Sequence, residues 1–324
     1  MIDDQLIGII ASILLQSSPL IIAVIGETFT ERVGVVNLSL DGSMLLAAMT
    51  GFVAAYESGS LAIGFLAGAA VGAFFALIVA FGSIRLRQSQ VAIGFVLTLL
   101  GDDLSAFLGQ NYSRLSGPVL HKLAIPILKD IPVLGPIFFD QNLMVYFALT
   151  LVGFSYWWIF RSRPGLRLRS AGERPDAAFA RGVNVKRTRY LYTVLGGALV
   201  GIAGASYSLN VKIGWFEGHT RGLGWIALAI VIFGGWSPVR GAIGAVLFGA
   251  AKNLATLLQP TFPQVSAVVF NAIPWILMIL VLVIVGSDFS DRLVALAPKR
   301  MQRPLRRLLR VSPPMALGTE LAER

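Results

Sequence analysis

The sequence predicts an all-α fold, a polytopic membrane helix bundle of about eight to ten transmembrane helices with broken or re-entrant segments. Three observations predict it. Hydrophobic residues make up 56% of the 324 positions and charged residues only 14%, against about 25% charged in a soluble domain. Apolar runs of about 20 residues recur, each long enough to cross a hydrocarbon core of roughly 30 Å as a helix. Lys and Arg gather beside those runs: nine of the 27 lie in 161–189 and eight in 288–324. That asymmetry marks cytoplasmic segments.

The runs fall at 5–25, 34–56, 60–82, 90–109, 142–160, 190–210, 223–236, 240–258 and 268–286. The opening MIDDQLIGII has no basic n-region and no A-x-A site, so it reads as a first span rather than a cleaved signal. Counting back from a cytoplasmic tail places 161–189, Arg85 and Arg87 inside and the acidic N-terminus outside, in agreement with the charges. Runs 34–56 and 223–236 read as broken or re-entrant. Between 111 and 141, Pro118, Pro126, Pro132 and Pro136 interrupt any regular helix, which makes this an external loop. Residues 1–290 then form one transmembrane domain, with a cytoplasmic loop at 161–189. Residues 291–324 form a basic cytoplasmic tail that reads as disordered and lipid-binding. Gly64, Gly68 and Gly72, and again Gly197 and Gly201, make G-x-x-x-G steps suited to close helix packing.

Several functions are excluded or disfavoured. The net charge of +10 is concentrated at the membrane flanks, so it marks topology and lipid rather than nucleic acid. There is no cysteine, hence no disulfide, thiolate metal site or thiol nucleophile. The two histidines, His121 and His219, are isolated in sequence. No H-E-x-x-H or G-x-S-x-G motif occurs, and no G-x-x-x-x-G-K-[ST] phosphate cradle. A non-enzymatic transport protein without metal or cofactor is expected, driven by a partner or an ion gradient.

Polar residues inside apolar runs are the candidate site, because burying them is costly. The densest group is Asn37, Ser39, Asp41 and Gly42 in ERVGVVNLSLDGSMLLAA, 31–48. Asp41-Gly42-Ser43 looks like an acidic cap opening a helix inside the membrane. Unwound backbone before such a start is tolerated only where it is buried in protein or lines a cavity, the geometry of mid-depth binding sites. These residues either line a substrate path or tie the break down by hydrogen bonds. Asp102 and Asp103 are path residues or interfacial ones, and Asn210 and Lys212 end a span at the same outer level. Lys252 either snorkels or pairs with a carboxylate. Trp157, Trp158, Trp215 and Trp225 read as an interfacial belt.

The stretch SAGERPDAAFARGV, 170–183, is a short helix in a charged loop. Pro175 suits a helix start, Asp176 the first turn, Arg181 the opposite pole and Gly182 the stop. Pro175, Ala178 and Phe179 are expected to share an apolar face. A helix this short is unstable alone and needs a surface to hold it. The bland alternative is a positive-inside loop with incidental helicity.

Three segments carry a resemblance. GETFTERVGVVNLSLDGSMLLAA at 26–48 contains E-R-x-G-x-x-N-[LI]-x-x-[DE]-G. LRLRSAGERPDAAFARGVNVKRTR from 166 contains R-x-x-G-x-x-P-x-A-A-x-x-x-G. GLGWIALAIVIFGGWSPVRG from 222 contains G-x-G-[FW]-x-x-[IL]-A-x-x-x-x-G-x-W-x-P. In this order, over about 26–286, the chain resembles a permease subunit of ABC importers for nucleosides and simple sugars. Their superfamily includes the ribose-type and branched-chain amino-acid permeases.

The resemblance implies an ABC-permease bundle in a bacterial inner membrane, with the C-terminus cytoplasmic. It implies three kinds of partner: cytosolic ATPase subunits that bind the ATP, a second permease chain (a paralogue or a second copy) and an extracytoplasmic substrate-binding protein. It makes Gly172–Gly182 a coupling helix, carried by Gly172, Glu173, Arg174, Pro175, Ala177, Ala178 and Gly182. It sets the substrate path near Asn37–Gly42. The rival reading is an ion-coupled secondary transporter of a small polar solute, using Asp41, Asp102 or Lys252.

Overall fold

The computed structural model describes residues 4–286 and 312–319. Among these the regular structure is helical, with one isolated bridge between Lys122 and Asn142. α1 (Asp4–Arg32) is followed by a non-helical stretch and α2 (Leu40–Ser58). α3 (Leu61–Ala80) runs into a π turn at Phe81–Arg85, and α4 (Gln90–Gly109) precedes the proline-rich loop. α5 (Leu143–Arg161), α6 (Arg163–Glu173) and α7 (Pro175–Ala180) lead to α8 (Val185–Ser206), which ends in a second π turn at Tyr207–Val211. α9 (Leu223–Phe233), α10 (Pro238–Thr261) and α11 (Ala267–Gly286) complete the bundle.

Six helical stretches are long and apolar enough to cross a membrane, on α1, α3, α4, α5, α8 and α10. With α2 and α11, of 19 and 20 residues, eight helices of membrane length are present among the described residues. α9, with 11 residues, reaches only about half of a bilayer at 1.5 Å per residue.

α1, α2 and α8 make the core, where Ile21 to Ile25 and Met44 to Ala48 are almost wholly covered. The outer helices carry large exposed apolar side chains such as Leu66, Phe107, Trp157 and Ile243, a surface suited to lipid or to another membrane chain. α3 and α8 meet through their glycine steps. A Cβ on Gly72 would overlap the carbonyl of Gly197, and one on Gly201 would overlap that of Gly68. Only glycine permits this backbone-to-backbone approach.

Candidate functional site

The break between α1 and α2 lies deep in the bundle. Gly34 turns the chain with φ +95°, and residues 35–37 then continue without helix. This stretch climbs along α4: Val36 N–H donates to Gln90 Oε1 at 2.7 Å, and Thr98 Oγ1 donates to the Leu38 carbonyl at 2.7 Å. Gly42 and Gly101 then touch through their backbones. α2 therefore starts two to three turns along α4, at intramembrane depth. Asn37 Oδ1 accepts from Ser39 Oγ at 2.6 Å and from Ser39 N–H at 3.2 Å, closing the turn before α2.

Asp41 does not cap its own helix. α2 opens at Leu40 behind Ser39, whose side chain makes no capping bond. The Asp41 carboxylate instead receives Gly222 N–H at 2.8 Å and Gly224 N–H at 3.0 Å, the first donors of α9. Those amides are orphans at a helix start, and the positive end of the α9 dipole favours a carboxylate there. Gly224 has no side chain because a Cβ would overlap the Asp41 backbone. Two polar helix starts, one opening α2 and one opening the half-length α9, thus meet at a single residue. Just beyond, Asp102 Oδ1 pairs with Arg221 Nη2 at 3.0 Å, so three sequence candidates (Asp41, Gly42 and Asp102) come together here. Asn37, Ser39, Asp41 and Gly42 are all buried.

The far end of α9 returns to the end of α1. Trp236 Nε1 donates to Glu31 Oε2, and Arg32 Nε donates to the Trp236 carbonyl at 2.8 Å. One turn earlier Glu27 is fully buried, and its Oε1 accepts Asn37 N–H at 3.4 Å. Sequence reasoning gave Glu27 and Glu31 no role. Their i,i+4 spacing on one face of an apolar span was the available signal. Arg221 offered none, since its partner is 119 positions away.

Other candidates lie apart. Asn210 pairs with Asn142 at the head of α5. Lys252 Nζ donates to Tyr207 Oη at 2.8 Å rather than to a carboxylate. Trp215 is not a belt residue: it is 1% exposed and covers Gly109, where any side chain would displace it.

The basic loop folds as two short helices. Ser162 caps α6, its Oγ accepting Gly165 N–H at 3.0 Å. Gly172 lies directly on the end of α1, where a Cβ would overlap the Arg32 carbonyl. Glu173 sits 4.0 Å from the Arg32 guanidinium, and Arg174 adopts a non-helical φ of −144° that separates α6 from α7. Pro175 opens α7, and Gly182, at φ +79°, stops it while Val183 N–H returns to the Ala178 carbonyl. The expected common face is split. Ala178 turns inward at 4% exposure whereas Phe179 points out at 51%, because successive helical residues are about 100° apart. Arg174 and Ala177 are exposed.

A tail segment joins this element. Most of 291–324, expected to be disordered, lies outside the described residues, but 312–319 packs beneath α6. Ala316 N–H donates to the Gly172 carbonyl at 2.9 Å and Gly318 N–H to the Gly34 carbonyl at 3.2 Å. Arg189 Nη1 donates to the Thr319 carbonyl at 3.1 Å. With the segment in place, α6 and α7 border a groove of about 560 Å³ that includes Met315.

Over residues 9–282 the chain matches the family described as branched-chain amino acid transport system / permease component. It is 36% identical over 267 residues to the putative glucose ABC transporter permease protein TsgC13 of Haloferax volcanii, covering 79% of this chain and 81% of that one. It is 34% identical to the nucleoside ABC transporter permease protein NupC of Lactococcus lactis and 36% identical to the guanosine ABC transporter permease protein NupQ of Bacillus subtilis, each covering 85% of this chain and 90% of the relative. No solved structure matches the chain. By the extent of these matches the chain belongs to the branched-chain amino acid transport system permease family, and it is a permease component of an ABC transporter.

Proposed function

We propose that the chain is the membrane-spanning subunit of an ABC importer that carries a nucleoside or a simple sugar across a bacterial inner membrane. The observation that carries this reading is the α6–α7 element. α7 has six residues, too few to persist alone. It is braced by α6 against the end of α1, with Phe179 and Arg174 facing outward. A single exposed aromatic side chain on a charged collar suits a socket in a separate cytosolic ATPase, which binds the ATP. The chain itself then needs no cofactor, and its α6–α7 end and tail are cytoplasmic. The names of the three relatives support the substrate class.

In this reading a binding protein delivers the solute to a path between this chain and a second permease, a paralogue or a second copy. The broken segment at Asn37–Gly42, with Asp102 beside it, borders that path, and Asn210 lies nearer the outer mouth. Force from the ATPase reaches the path by a short route. Glu173 faces Arg32, Arg32 and Glu31 hold the turn after α9 at Trp236, and the opposite end of α9, its start, rests on Asp41.

The test is uptake of labelled nucleosides and sugars into proteoliposomes holding this chain, its partner permease, ATPase and binding protein, with ATP inside. ATP-dependent uptake of one class is expected. Deleting 174–181, or Glu173→Arg, is expected to abolish that uptake while the bundle stays folded. Uptake that ignores ATP and follows an imposed ion gradient would instead establish the secondary transporter.

A further inference from the structure

Met315 is held in place by its neighbours, yet its own side chain is left uncovered. Its N–H donates to Glu173 Oε2 at 3.4 Å, and the next residue, Ala316, is hydrogen-bonded to Gly172 and 6% exposed. The Met315 side chain itself is 71% exposed at the rim of the α6–α7 groove. Anchoring a backbone on both sides while leaving a large flexible apolar side chain outside is the arrangement of a contact residue, not of a core residue.

The groove beside it has an apolar lining from Leu166, Ala178 and Val183. Its rim is basic, with Arg167, Arg174 and Arg181 all exposed. The carboxylate within the groove, Glu173 at the end of α6, already faces Arg32 and the Met315 amide, and Asp176 is the acid on α7. The cleft therefore favours an apolar group entering it with negative charge around the entry.

We propose that residues 312–319 form one wall of the ATPase-docking groove. Met315 and the apolar faces of α6 and α7 clasp an apolar side chain of the ATPase, and that side chain is flanked by carboxylates facing Arg167, Arg174 and Arg181. This rests on the importer reading above and adds to it that the docking surface is made of two stretches of chain, 163–183 and 312–319. Because Gly318 of the same segment binds Gly34, at the entry of the break, the docking wall is joined to the stretch that carries Asn37 and Asp41.

The experiment measures binding of the transporter's own ATPase subunit to the assembled permease pair in nanodiscs, with uptake per ATP in parallel. Met315→Asp places a like charge against the partner's carboxylates and a polar group in an apolar cleft. Docking is expected to weaken about tenfold or more and to lose much of its salt dependence, whereas Met315→Leu stays within about twofold. An exposed side chain leaves the unfolding temperature of the permease unchanged.

The chain has no cysteine, so Met315→Cys supplies a single thiol. Its maleimide labelling is expected to slow at least about fivefold when the ATPase is bound. Normal docking of Met315→Asp, with labelling unaffected by the ATPase, overturns the proposal. If deletion of 174–181 still abolishes docking in that case, the importer reading stands without it. If that deletion also docks and transports normally, the α6–α7 element is not the ATPase contact; the importer reading itself fails only if the wild-type pair binds no ATPase and its uptake ignores ATP.

Discussion

Asp41 and Gly222 are 181 positions apart, yet the carboxylate of one receives the backbone N–H of the other at 2.8 Å. This contact joins the start of α2 to the start of α9 inside the bundle. Asp41→Ala leaves the amides of Gly222 and Gly224 without their acceptor in a buried place, at a cost of about 2–4 kcal/mol. Asp41→Asn keeps an acceptor and loses the charge that suits the helix start, at about 1 kcal/mol. Thermal unfolding in detergent is expected to rank wild type above Asn above Ala. Equal midpoints for all three would show that the junction contributes nothing.

The glycine contact between α3 and α8 predicts a sharp contrast. Gly72→Val drives a branched side chain into the Gly197 carbonyl and is expected to cost at least about 3 kcal/mol or prevent folding. Gly153→Ala on α5 meets nothing within 4 Å and is expected to be neutral or stabilising by about 0.5 kcal/mol. Expression yield and unfolding temperature of the two variants give the comparison directly.

The Asp102–Arg221 pair is half exposed, with 56% of the Arg221 side chain accessible. Its coupling, measured by a double-mutant cycle with Asp102→Asn and Arg221→Gln, is expected to be under about 1 kcal/mol and to shrink with added salt. A larger, salt-insensitive value would mean that the pair is buried in the assembled transporter.

His219 gives the folded chain an acid limit. Its ring is 4% exposed and lies edge-on to Phe216 and Tyr207. Burial, with Lys212 adding to it, lowers its pKa from 6.5 to about 4. Below pH 6.5 the unfolded chain binds a proton that the folded chain refuses, so stability falls from there to about pH 4 and then levels. The total loss is on the order of 3 kcal/mol. His219→Gln is expected to flatten that part of the stability–pH curve. A wild-type slope in the variant would assign the loss to other groups.

Much of this was legible from residue order. Hydropathy and charge placement gave the bundle, the break before α2 and the helix at Pro175–Ala180, because each depends on local pattern. The glycine steps foretold close packing, though not that α3 and α8 would supply the two sides. One failure was local, the common face expected for Ala178 and Phe179, and the others were of long range. Asp41 sits in the first turn of α2, and nothing nearby in sequence shows that its carboxylate serves α9. Trp215 has the composition of a belt residue but is drawn inward by the bare surface of Gly109. The tail was read by its basic charge, which hid the apolar Pro-Pro-Met-Ala-Leu stretch that docks below α6.

Where α3 and α8 touch through glycine, no soft side chain lies between them to absorb a displacement. That pair can neither roll nor slide without colliding, so it behaves as a stator. The end of α1, the unwound climb to Asp41 and α9 also meet at glycine, at Gly172 and Gly224, but side-chain hydrogen bonds from Arg32, Glu31 and Asp41 share those junctions. Among the described residues the α3–α8 seam has no such polar link to remake, so the two helices act as one rigid spine to which any rearrangement elsewhere in the bundle is referred.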